Sequence, residues 1–166
     1  MKLQKEAGTI FDRILNLLAW LAIGIITCME ILVASEVFMR YVLNRPHAYV
    51  DELVKYSIVY ITFLGAAWLL KSDGHVKLDL VVDRLSTRSG SVLNIVTSIV
   101  SAIVCLIVGW YGSLLIWNSF REGFHMNSVL APPEWIIFLI IPIGFFLLFI
   151  QFLRRAYGYF AAGKHQ

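Results

Sequence analysis

The ionisable side chains of this 166-residue chain gather where its apolar stretches begin and end. The densest group runs through Glu36, Arg40, Arg45, Asp51 and Glu52. Glu36 and Arg40 stand four apart and Glu52 and Lys55 three apart, so each pair can meet on one face of a helix. Asp51 and Glu52 fall where a helix would restart after Pro46, against the positive end of its dipole. Such a set suits interfacial charge pairing and capping, or a corner onto which a partner docks. Glu30 is of another kind, because at 1.5 Å per residue it falls roughly 24 Å into the first apolar run. A carboxylate at that depth should face protein or shed its charge, meeting another helix or another subunit. No second acid lies at midplane to relay a proton. Cys28 and Cys105 lie mid-run with no C-x-x-C spacing, as small packing residues do. His47, His75, His125 and His165 all lie outside the apolar runs, where they cannot serve as axial ligands of a haem inside a bundle. No catalytic, cofactor-binding or metal-ligating constellation is expected.

The elements that must carry these residues are four apolar runs, at 14–38, 53–70, 92–117 and 135–153. Each is about long enough to cross a hydrocarbon core of roughly 30 Å as a helix. With 59% hydrophobic and 15% charged residues and a mean hydropathy of +0.76, the composition calls for lipid as the solvent. The stretches between runs are too short to bury a core of their own. The fold expected is an all-α integral membrane protein, one domain over 1–166, with four transmembrane helices and a short interfacial amphipathic helix between the second and third. The first run outlasts a secretory h-region and no small-x-small site follows it, so it is expected to be a retained helix.

Topology follows from the basic residues. Lys2, Lys5 and Arg13, then Lys71, Lys77, Arg84 and Arg88, then Arg154, Arg155 and Lys164 outnumber Arg40, Arg45, Lys55 and Arg121 on the other side. Both termini are therefore expected in the cytoplasm. The net charge of +3 is mostly this bias, and no basic run interleaved with aromatics points to nucleic acid. In the second connection, Leu78, Val81, Val82 and Leu85 form an apolar stripe, with His75, Lys77 and Asp79 among the interfacial residues of a segment over about 75–86. Gly65, Ala66 and Ala67 would let helices approach closely. Pro133 and Glu134 suit the opening of the fourth helix, and Pro142 should kink it and free the carbonyl near Phe138.

A self-sufficient carrier would show repeated halves and polar midplane residues, and a channel would show a polar lining, and both are sparse here. An accessory membrane subunit remains, with a standalone small channel or the membrane anchor of a redox enzyme as the alternative.

The order Arg40-Tyr41-x-x-Asn44-Arg45-Pro46, Asp51-Glu52-Leu53, Phe63-Leu64-Gly65-Ala66-Ala67 and Gly74-His75-Val76-x-x-Asp79 resembles the small membrane subunit of tripartite ATP-independent periplasmic (TRAP) transporters. Pro133-x-Trp135 and Ile141-Pro142-Ile143-Gly144 are similar to that family's fourth helix. Tyr49 and Tyr60 depart from it, standing where tryptophan is frequent. The resemblance implies a bacterial inner-membrane protein that is not an enzyme and has no cofactor of its own. It implies a large, many-spanning partner that binds Na⁺ and carries an organic acid such as a dicarboxylate or sialic acid. A periplasmic binding protein would dock on the outer face, and the small subunit would brace the large one in the bilayer.

Overall fold

In a bilayer every backbone N–H and C=O must be satisfied within the protein, so apolar runs of this length become helices whatever their β-branched content. The computed structural model describes residues 2–45, 47–72 and 87–163. It contains α1 (Lys2–Val42), α2 (Ala48–Ser72), α3 (Thr87–Glu122), α4 (Glu134–Phe138) and α5 (Ile140–Gly163). Four stretches are long and apolar enough to cross a membrane: Gly8–Val42, Ala48–Ser72, Val92–Glu122 and Glu134–Phe160. An even number of crossings returns both ends of the bundle's chain to one side. The helices outrun the expected spans at both ends, because a helix keeps its own hydrogen bonds after it leaves the apolar layer. The expected amphipathic helix and Pro46 lie outside the described residues.

Three hydroxyls within the spans satisfy themselves locally. Thr27 donates to the Ile23 carbonyl at 3.0 Å, Thr62 to Ile58 at 2.8 Å and Ser113 to Gly109 at 2.8 Å, each one turn back on its own helix. They are helix-internal bonds and not the lining of a pore.

The helices pack in the order α1, α2, α5, α3, leaving α1 and α3 on the two flanks of a row. A small core forms where α1, α2 and α5 meet, from Ala22, Leu64 and Ile140, with Leu18, Ile25, Val59, Tyr60, Phe63 and Ile141 against it. On α3 the buried or half-buried positions Ser98, Ala102, Cys105, Gly109, Gly112, Ile116 and Ser119 alternate four and three apart, a seam of mostly small residues. Phe145 and Phe146 of α5 pack over Gly109, and Pro142 packs over Gly112. Cys105 is a buried packing residue of this seam, whereas Cys28 is exposed on α1.

Two expectations need correction. Pro142 does more than kink the fourth span: the span divides at Leu139 into α4 and α5. Proline brings no N–H to the Phe138 carbonyl, so the helical ladder fails in the turn before it. Nor does Gly65 permit a close approach within the chain, since a Cβ there would meet nothing within 4 Å. Of its neighbours, Ala66 is half-buried and only Ala67 is fully buried. The tight crossing is at Gly144, where a Cβ would come 2.6 Å from Cδ1 and 2.8 Å from Cβ of Phe63. Gly144→Ala is expected to destabilise the protein by about 1–3 kcal/mol, since α2 and α5 must part to admit the methyl group. Gly65→Ala should change stability by no more than about 0.5 kcal/mol. Thermal unfolding of the detergent-solubilised variants tests this, and equal effects at the two positions would contradict the α2–α5 crossing.

Candidate functional site

The charged corner between α1 and α2 is organised by one carboxylate. Glu36 is only 4% exposed, and its Oε1 accepts from Arg40 Nε at 3.1 Å and Nη2 at 2.9 Å. Its Oε2 accepts the backbone N–H of His47 at 3.0 Å, with the imidazole Nδ1 at 3.5 Å. One side chain thus ties the last turns of α1 to the residue just before α2 and fixes the turn between them. The turn itself is closed by Asn44 in the left-handed region (φ 51°), a conformation asparagine tolerates, and by Arg45 N–H returning to the Met39 carbonyl at 3.2 Å. Asp51 lies 3.9 Å from Arg40 and is largely exposed. Arg45 is exposed, and no ion pair to it forms among the described residues.

Glu52 does not join this network. It makes no salt bridge with Lys55 or Arg40 among the described residues. Its carboxylate instead accepts the backbone N–H groups of Val129 at 2.7 Å and Leu130 at 3.0 Å. The expected single network is two separate ties, because two adjacent amides oriented alike offer a carboxylate better geometry than a solvated lysine does. One helical turn on, the Tyr56 hydroxyl donates to Ser128 Oγ at 3.1 Å. A further turn on, the Tyr60 hydroxyl donates to the Ile136 carbonyl at 2.6 Å, in the turn that the Pro142 interruption leaves open. Glu52, Tyr56 and Tyr60 are four apart and share one face of α2. Together they hold the connection between α3 and α4 and the start of the fourth span. Tyr56 and this use of Tyr60 were missed in the sequence, although the spacing was there to read.

The connection between α3 and α4 is a closed loop. Gly123 (φ 67°) ends α3, Phe124 N–H returns to the Ser119 carbonyl at 3.3 Å, and Met126 N–H reaches Pro132 O at 3.0 Å. Ala131, at φ 40°, sits in the left-handed region at a cost on the order of 1 kcal/mol. Val129 at its tip is 72% exposed.

Glu30 lies on the exposed surface of α1, and no hydrogen bond or ion pair reaches it from the described residues. None of the described helices therefore meets it. His75, Lys77 and Asp79 lie outside the described residues. At the opposite end of the bundle an unexpected group appears: Arg154 donates to Asp12 at 2.7 Å, with Lys71 3.9 Å from the same carboxylate and 3.3 Å from Asn16. Residues 142 positions apart could not be paired from helical spacing. Among the described residues, no three His, Cys, Asp or Glu side chains are placed to hold a metal ion.

A row of four membrane-length stretches, tied at both ends by ion pairs and hydrogen bonds, defines a multi-spanning membrane protein. The family model for the DctQ component of tripartite ATP-independent periplasmic transporters matches residues 29–161, and the chain belongs to that family. It is a family of transporter components, not enzymes. The chain is 27% identical over 136 residues to the ectoine TRAP transporter small permease protein TeaB of Halomonas elongata, covering 82% of this chain and 69% of that protein. It is 26% identical over 117 residues to the C4-dicarboxylate TRAP transporter small permease protein DctQ of Rhodobacter capsulatus, covering 69% and 50%. It is also 21% identical over 108 residues to the isethionate TRAP transporter permease protein DctMQ of Oleidesulfovibrio alaskensis, covering 65% of this chain and 17% of that longer protein.

Glu52→Gln leaves one acceptor oxygen for two amides. Hydrogen exchange at Val129 and Leu130 should rise roughly fivefold, while Leu43, bonded to Met39 at the other corner, should exchange as before. An equal rise at all three would place the effect in the whole fold and not in the loop tie.

Proposed function

We propose that this chain works as one four-helix unit in the bacterial inner membrane, with both termini cytoplasmic, as the fixed brace of a large, Na⁺-coupled TRAP transport subunit. The observation that carries this reading is the mismatch between span and burial: only 6% of the most apolar window of the first span is buried within the chain. An exposed carboxylate, Glu30, stands on that same helix, where lipid is a poor neighbour. A membrane partner that covers α1 and hydrogen-bonds Glu30 accounts for both. The match of this chain to 17% of the isethionate permease protein DctMQ supports the same arrangement, a small unit joined to a much longer one.

The solute is an organic acid, captured outside by a periplasmic binding protein. The relatives' ectoine, C4-dicarboxylate and isethionate show how broad the class is. Dicarboxylates and sialic acid both fall within it, and the choice rests with the other subunits. The outer corner at Glu36, Arg40, Arg45 and Asp51, together with the loop that Glu52 holds, is the surface on which the binding protein would seat.

Co-purification from native membranes tests the assembly: a much larger, many-spanning protein should accompany this chain, and recovery of the chain alone at native expression would refute the reading. Charge reversal tests the corner. Arg40→Glu should lower solute uptake several-fold without changing the binding protein's affinity for solute. Because Arg40 pairs with Glu36 and not with Glu52, adding Glu36→Arg should restore part of the loss, whereas adding Glu52→Arg should deepen it. Unchanged uptake by Arg40→Glu at normal expression would remove the corner from the mechanism.

A further inference from the structure

A cavity of about 450 Å³ opens between α1, α2 and α5 at the end of the bundle that carries the chain termini. It is lined by Asp12, Lys71, Gln151, Arg154, Arg155 and Tyr159, among others. Three cations face one carboxylate, and Asp12 is already engaged by Arg154 at 2.7 Å. Lys71 stands 3.9 Å from the same carboxylate, so one negative charge is shared between two cations, and Arg155 has no carboxylate partner among the described residues. Gln151 lines the same cavity, is 8% exposed, and its Oε1 has no hydrogen-bond partner among the described residues. A buried amide oxygen left unpaired is costly, so it marks a place where a donor is expected. The cavity thus asks for two things at once: an anion within reach of Lys71 and Arg155, and a hydroxyl or amine a few ångströms away for Gln151.

Its depth narrows the source. Asp12 lies four residues inside the first span, Lys71 one residue before the end of the second, and Gln151 nine residues before the end of the fourth. The cavity therefore straddles the boundary between apolar layer and headgroups. Ile14, Leu69 and Leu153, in the adjoining turns, are exposed apolar side chains against which acyl chains can lie. A zwitterionic headgroup would bring a second cation into a site already rich in positive charge. A phosphodiester that also carries a hydroxyl fits all the groups present.

We propose that this cavity binds the headgroup of an anionic phospholipid of the phosphatidylglycerol type, with its phosphate between Lys71 and Arg155 and a glycerol hydroxyl donating to Gln151 Oε1. The lipid adds a further tie among three helices that meet at this end through the Asp12–Arg154–Lys71 cluster, the Lys71–Asn16 hydrogen bond and Arg154 over the Phe11 ring.

The full chain, purified in mild detergent and offered equal amounts of phosphatidylglycerol and phosphatidylcholine, should carry the former in native mass spectra by a margin of several-fold. Arg155→Ala should weaken that binding about fivefold. Arg121→Ala, an equal loss of charge at the opposite end, should not. Gln151→Leu keeps charge and bulk, and should abolish the preference for phosphatidylglycerol over phosphatidylmethanol, which has the phosphate but no hydroxyl. Equal retention of phosphatidylglycerol and phosphatidylcholine, or equal losses in Arg155→Ala and Arg121→Ala, would overturn the site. Glycerol 3-phosphate displacing the lipid at equal concentration would overturn its assignment to lipid in favour of a soluble phosphate ester. None of these readings depends on uptake or on a co-purifying subunit, so they fail or stand apart from the proposed bracing role.

Discussion

A row of helices one layer thick buries little of its apolar surface against itself, and the rest of this structure answers that constraint. In water the arrangement would be untenable. In lipid the hydrophobic term no longer draws helices together, so contact must come from close packing and from polar bonds. Both appear where the row needs them. Gly144 against Phe63 brings α2 and α5 together, and the four-three seam of α3 does the same against α5. The flank helix α1 joins the small core through Ala22, with Leu18 and Ile25 against it, and adds polar ties at its two ends.

The polar bonds are distributed accordingly. At the end away from the chain termini, Glu36 holds the α1–α2 turn, and Glu52, Tyr56 and Tyr60 hold the α3–α4 connection to α2. At the other end, Arg154, Asp12 and Lys71 join α5, α1 and α2. Between the ends, hydroxyls bond to their own helix and cross no gap. The row is fixed like a panel clamped along two edges, with its faces left free. Helix α2 is central to this, since it contacts both neighbours and carries three of these ties on a single face.

How much of this could be read from the chain depends on the range of each interaction. The four spans were legible because hydropathy over some twenty residues is a local sum, and the Glu36–Arg40 pair because four residues make one turn. Pro142 was legible as an interruption, since the missing N–H is a property of one residue, but the bond from Tyr60 of α2 to the Ile136 carbonyl beside it was not, since it joins residues 76 apart. Glu52 was misjudged for the same reason. Its sequence neighbours offered Lys55, whereas its actual partners are two backbone amides 77 and 78 residues away. The small residues of 65–67 were the visible packing motif, yet the closest backbone approach fell to Gly144, because a glycine matters only where a neighbour presses on it. The seam of α3 was present in the spacing and passed over, its serines, alanine, cysteine and glycines each being unremarkable alone.

The two unsatisfied features that remain differ in chemistry, and the difference separates what covers each. Glu30 is an exposed carboxylate well inside α1, and a lipid tail offers it no hydrogen bond, so the proposed partner would have to carry a donor to that depth. Gln151 is a neutral amide beside surplus cations at the headgroup level, where a phosphate and a hydroxyl arrive together on a lipid without any protein. If the chain braces a moving neighbour as proposed, it needs both kinds of contact: a specific one to the partner, and one to the bilayer that does not travel with the partner. Glu30 lies on α1 and Gln151 on α5, so the two proposed contacts fall on different helices and at different depths of the bundle.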